Sequence, residues 1–77
     1  MFYVYAIQSK SGRVYIGQTQ DLKERVAYHN NGYVKSTRND RDWVVIKTKK
    51  FENRNEARFF ERQLKKSRGR RLKWLDS

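Results

Sequence analysis

Phe2-Tyr3-Val4-Tyr5-Ala6-Ile7, then Gln8-Ser9-Lys10-Ser11-Gly12, then Arg13-Val14-Tyr15-Ile16-Gly17: this stretch decides the fold. Residues 2–7 alternate, with Phe2, Val4 and Ala6 on one face and Tyr3, Tyr5 and Ile7 on the other, the period of a strand. Residues 13–17 alternate again, Val14 and Ile16 against Tyr15 and Gly17. Ser9-Lys10-Ser11-Gly12 between them is turn chemistry, so the two runs form a hairpin. Its register follows from burial. Setting Val4, Ala6, Val14 and Ile16 on one core face puts Tyr5 and Tyr15 together on the other, because a slip of one residue inverts every side chain.

A helix follows the hairpin. Asp21 with Glu24 three residues on is a capping box, and the helical run continues to about Asn30, with Gly32 as its terminator. Leu22 and Val26 form its core stripe, and Arg25 and His29 stack one turn apart along the flank. Residues 32–42 are polar and aperiodic, a loop long enough to carry function. Trp43 to Phe51 reads as a third strand, and the apolar run Trp43-Val44-Val45-Ile46 predicts that it is central or covered. A second helix opens at Asn53 with a capping box through Glu56, its inward stripe Ala57, Phe60 and Leu64. A short basic helix, Arg68 to Trp74, closes the chain, anchored by Leu72 and Leu75 with Arg70 and Arg71 outside.

Composition excludes several classes. Seventy-seven residues make one domain at most, here residues 1–77 as a unit. There is no cysteine and one histidine, which rules out a disulfide scaffold, a thiolate zinc site and a multi-histidine metal site. The longest apolar run falls far short of the ~20 residues a bilayer demands, and no N-terminal stretch reads as a signal peptide, so the expected setting is cytoplasmic. The formal net charge is +11, with 10 basic and 5 acidic residues in 1–53 and 9 and 3 in 54–77. An excess spread over the whole chain, and larger than solubility needs, points to a polyanionic partner, nucleic acid before any membrane surface.

Glu61 is the sharpest anomaly. It falls on the inward stripe of the second helix, where a carboxylate costs several kcal/mol unless it is paired, hydrogen-bonded or on a metal. Periodicity alone leaves three readings open: an ion pair with Arg25 or Lys65, a rim position that reaches water, or a metal or catalytic carboxylate.

Tyr3-Val4-Tyr5, ten residues of hairpin, then Tyr15-Ile16-Gly17 resembles the paired motif of the GIY-YIG nuclease family. The likeness continues through Asp21-Leu22, Arg25 eight residues after Gly17, His29 one turn later, and Glu61 at the position of the family's metal-binding glutamate. His29-Asn30…Gly32…Lys35, Trp43-Val44-Val45 and Glu56-Ala57…Glu61…Leu64-Lys65 resemble the small stand-alone members. The resemblance implies an α+β fold, a three-stranded antiparallel sheet flanked by helices in the order β-β-α-β-α-α. It also implies metal-dependent hydrolysis of phosphodiester bonds, with DNA favoured over RNA as the substrate.

The roles carried over are these. Glu61 holds one Mg²⁺ or Mn²⁺, which keeps several waters and takes phosphate oxygens from the substrate. Arg25 clamps the non-bridging oxygens with its planar fork. Tyr15 is the general base, with Tyr5 orienting water or phosphate beside it and His29 as relay or phosphate ligand. Ionising a free tyrosine at pH 7 costs about 4 kcal/mol, and a neighbouring guanidinium and a bound cation lower that cost. Lys35, Arg38 and Arg41 in the loop, and Arg68, Arg70 and Arg71 in the last helix, track the phosphate backbone. Tyr28 and Tyr33 are stacking platforms or plain exposed aromatics.

Two departures qualify the match. The first motif reads Tyr-Val-Tyr in place of Gly-Ile-Tyr, which keeps its tyrosine. The asparagine that larger members carry near the C-terminus has no counterpart in residues 56–77. Several repair and homing enzymes of the family take their target choice from another domain. Specificity here is expected from DNA structure or from a protein partner. A catalytically silent nucleic-acid-binding module is the competing reading, and the +11 field serves both. The nuclease reading requires Tyr5, Tyr15, Arg25, His29 and Glu61 to converge on one cleft.

Overall fold

A computed structural model describes all of residues 1–77. Its elements run β1 (Phe2–Gln8), β2 (Val14–Thr19), α1 (Leu22–Asn30), β3 (Val44–Phe51), α2 (Arg54–Lys66) and α3 (Arg68–Asp76). The strands form one antiparallel sheet in the order β2-β1-β3, the expected α+β architecture. The β1–β2 turn closes with the Gly12 N–H on the Ser9 carbonyl, and Gly12 takes φ +94°, which a side chain would resist. Both helix starts follow the sequence: the Asp21 and Asn53 side chains accept from the N–H groups of Glu24 and Glu56, three residues on. Gly32, at φ +78°, turns the chain away from α1.

Period-2 alternation lets β1 serve two cores at once. Val4 and Ala6 pack with Ile16 against Ala57 and Leu64 of α2, while Phe60, Phe51 and Phe2 close around them. Tyr5 and Ile7 face the other way, against Trp43 and the Leu22 and Val26 stripe of α1. Val4, Tyr5, Ala6 and Ile7 are fully buried, so β1 is the central strand. No helix is long and apolar enough to cross a membrane.

Four local expectations are corrected. β3 is an edge strand, and Val44, Val45 and Ile46 are all exposed. The burial that the apolar run signals belongs to Trp43, which precedes the strand and turns inward at 2% exposure. In α3 the core contacts come from Trp74 and Leu75, and Leu72 is exposed. Arg71 does not lie outside: it is half-buried and donates from Nη1 to the Leu64 carbonyl at 3.4 Å, satisfying an open carbonyl near the end of α2. Val14, expected in the core, is also exposed, at the first residue of β2.

Candidate active site

The hairpin register brings the two tyrosines together. Tyr5 lies opposite Gly17 and Ile7 opposite Tyr15, so both phenols leave the same face, with ring centroids 6.4 Å apart. Gly17 is what makes this possible. A Cβ there would lie 2.5 Å from the Tyr5 hydroxyl and 2.7 Å from Cζ, a contact no folded chain accommodates without moving the ring. α1 covers this face through Leu22 and Val26, which turns Arg25 and His29, one turn apart, onto the phenols.

A buried hydrogen-bond chain results, and its direction can be assigned from one end. Arg25 can only donate, so the proton of the fully buried Tyr5 hydroxyl goes to Nε2 of His29 at 2.8 Å, which leaves that nitrogen bare. The neutral imidazole then carries its proton on Nδ1 and donates it to the Thr37 oxygen at 2.8 Å, and the Thr37 hydroxyl turns to the Val34 carbonyl at 3.4 Å. The Tyr5 oxygen accepts in turn from Nε–H of Arg25 at 3.4 Å. No buried side-chain polar atom is left without a partner.

Electrostatics fix the charge states. Burial pushes the Tyr5 phenol up to about 12; Arg25 opposes the rise, and Tyr15 and Glu61 add to it. Burial also pushes His29 down to about 4, and the Arg25 charge acts the same way. Both groups are neutral across the physiological range. The bond to Tyr5 raises Arg25 further, so the guanidinium stays charged. Tyr5 and His29 expose nothing to solvent, whereas Tyr15 is only half-buried, its ring centroid 4.9 Å from that of His29.

Glu61 stands beside this cluster and is joined to it by one side chain. Its carboxylate pairs with Lys65 one turn on, at 2.9 Å, and the Lys65 ammonium lies 5.3 Å from the Tyr15 ring centroid. The Glu61 side chain is 20% exposed, a rim position. Arg25 bonds Tyr5, so of the pairings open to Glu61 the structure forms the one with Lys65. No three histidine, cysteine or carboxylate side chains gather anywhere in the chain.

Residues 1–73 match the family described as the GIY-YIG catalytic domain. The chain belongs to the GIY-YIG family. It is similar to UPF0213 proteins, 35% identical to one of Clostridium perfringens over this whole chain and 85% of the relative. It is 38% identical to one of Pediococcus acidilactici over 96% of this chain and 80% of the relative. The solution NMR structure of a UPF0213 protein from Bacillus halodurans superposes with a TM-score of 0.63 at 30% identity, covering 99% of this chain and 84% of that one. These relatives are small single-domain proteins of the same fold.

Within this GIY-YIG domain the expected cations divide. Lys35, Arg38, Arg41, Arg68 and Arg70 are exposed, while Arg71 is tied to α2. Arg38 and Arg41 line a polar depression with Asp40, and Arg68 shares another with Tyr15 and Lys65. Tyr28 and Tyr33 are exposed and meet edge to face at 5.6 Å.

Sequence reading missed what holds the loop between α1 and β3. Asn30 closes it end to end, accepting from the Trp43 N–H at 2.7 Å and donating to the Trp43 carbonyl at 3.1 Å. Ser9 and Ser11 in the hairpin turn both donate to Asp40, at 2.8 and 2.6 Å. This clasp carries Thr37 to His29. The length of the loop was the one sign of it in the sequence.

Proposed function

We propose that this GIY-YIG domain, acting as one unit in the cytoplasm, is a divalent-metal-dependent endonuclease that hydrolyses phosphodiester bonds, in DNA before RNA. The observation that carries the reading is Arg25. Its Nε donates at 3.4 Å to a fully buried phenol, which orients the guanidinium near Tyr15 and leaves its Nη groups for a substrate. A plain nucleic-acid-binding arginine gains nothing from a buried Tyr5–His29–Thr37 chain behind it. A group that must meet a phosphorane at one position does.

In this reading the half-buried Tyr15 takes a proton from the attacking water. Tyr5 is unsuited to that step: its proton is committed to His29, and burial holds its phenol at about 12. Tyr5 and His29 act as a neutral positioning pair, with His29 a relay reached only through Tyr5. Arg25 binds the non-bridging oxygens through its free edge. Glu61 fits a hard divalent ion, because one carboxylate with water and substrate phosphate oxygens completes such a shell, and Lys65 is its partner otherwise. When bound, Mg²⁺ or Mn²⁺ supplies charge for the leaving oxygen. Specificity comes from DNA structure or from a protein partner.

The test is incubation of labelled flap, splayed, nicked and single-stranded substrates with Mg²⁺, Mn²⁺ or EDTA. The expected result is metal-dependent cleavage that EDTA and Glu61→Gln abolish, while Glu61→Gln binds DNA as well as or better than wild type. Binding without cleavage under every divalent ion would leave the silent module standing.

A further inference from the structure

A depression richer in cations than those of the loop and α3 lies on α2. In the loop, Asp40 accompanies Arg38 and Arg41 in their depression. In α3, Arg70 donates to Gln63 and Arg71 to the Leu64 carbonyl. The outer face of α2 is different. Arg58, Glu61, Arg62, Lys65 and Lys66 line one depression with no apolar side chain in it. Its single acid is already matched to Lys65, in the one side-chain ion pair of the molecule. Arg58, Arg62 and Lys66 are exposed and have no acidic partner.

Their spacing sharpens the point. Residues 58, 62 and 66 lie at successive four-residue steps, about 6 Å of helix rise each, so they form a row along α2. Like charges at this spacing destabilise a helix, and an anion laid along the row would reverse that cost. Lys65 also lines the neighbouring depression with Tyr15, Arg68 and Arg71, so the two adjoin at Lys65. The row thus leads past Glu61 to the exposed edge of Tyr15.

We infer that the phosphate backbone of the bound nucleic-acid strand lies along the Arg58–Arg62–Lys66 row of α2 and reaches Tyr15 across Glu61. This placement rests on the nuclease reading only for the direction in which the strand is reacted; the binding itself does not require cleavage. It assigns the main footprint to three cations on a rigid helix, ahead of the loop and α3 cations.

The experiment is fluorescence anisotropy of a short labelled DNA duplex, in EDTA, over a series of salt concentrations. The double variant Arg58→Gln with Arg62→Gln is compared with Lys49→Gln with Lys50→Gln, which removes the same charge from exposed positions on β3. Loss of two phosphate contacts lowers the slope of log affinity against log salt by about 1.8, at about 0.9 per contact. The α2 double variant is expected to show that drop and the β3 double variant to keep the wild-type slope. Arg58→Lys with Arg62→Lys restores the slope and controls for folding. An unchanged slope in the α2 variant, or an equal drop in both, overturns the inference. Because no metal is present, a slope drop in a protein that never cleaves would sink the nuclease reading and leave the track standing. Metal-dependent cleavage with an unchanged slope would do the reverse.

Discussion

The two faces of one three-stranded sheet are held by opposite means. Beneath it, Val4, Ala6 and Ile16 meet Ala57 and Leu64 in an apolar, non-directional core. Above it, Tyr5 is packed among Ile7 and Trp43 but also bonded to His29 and Arg25, with Thr37 completing the chain. The lower face needs only volume and hydrophobicity. The upper face needs every donor matched to an acceptor, because a buried polar group left unpaired costs about 1–3 kcal/mol. In the proposed function, stability is supplied mainly by one face and chemistry by the other, and β1 belongs to both.

The largest break in that contrast comes from the lower face. Leu64→Ala removes a fully buried side chain and should cost about 2–5 kcal/mol in urea melts, much of what so small a domain has. Cleavage per folded molecule should persist at low temperature. A change at Leu64 that abolishes cleavage in still-folded protein would show that the faces are not separable.

Acid should attack the upper face alone. His29 is held neutral, its folded value at about 4 against 6.5 for the free side chain. Between those values the unfolded chain binds the proton and the folded one does not, so stability falls as pH drops from about 6.5 towards 4. Tyr5 supplies the opposite limb. Its folded value of about 12 exceeds the free value of 10.0, so its contribution is whole below pH 10 and is lost as pH rises towards 12. Thermal melts across pH 4–8 should show the acid limb in wild type, and His29→Asn should flatten it.

Thr37→Val sharpens the comparison further. It keeps the shape and removes the acceptor for Nδ1–H of His29, at a cost of about 1–3 kcal/mol. His29 is the one histidine in the chain, so its ¹⁵N signals identify its tautomer without ambiguity. The account expects Nδ1–H in wild type and a loss of that preference in Thr37→Val, with Thr37→Ser restoring it. Nε2–H in wild type would reverse the direction of the whole chain.

Much of this was legible in the sequence because the signals are local. The hairpin, its register and both capped helix starts each depend on residues a few positions apart. The placement of β3 was not, since strand order is set by pairing across the sheet, and the run Trp43–Ile46 reads the same at an edge as at a centre. One indole accounts for the burial that four residues suggested. Leu72 misled for a related reason: α3 is short, and the docking of Trp74 against Phe60, ring centroids 5.5 Å apart, fixes which side turns inward. Of the site, Tyr5, Tyr15, Arg25 and His29 follow from register and helical spacing. Thr37 does not, because a hydroxyl in an aperiodic loop carries no sign of burial. The Glu61 anomaly pointed to a real junction, and its partner among those considered is Lys65.

The assignment of chemistry to the upper face rests most heavily on Tyr15, the half-buried phenol beside Arg25. The Tyr5–His29 and His29–Thr37 bonds do not involve its hydroxyl, so Tyr15→Phe should melt within about 1 kcal/mol of wild type. Single-turnover cleavage of a labelled branched DNA with Mg²⁺ or Mn²⁺ should fall by about 10²-fold or more in the same variant, the contribution of a positioned proton acceptor. A Tyr15→Phe protein that cleaves at the wild-type rate would contradict the account.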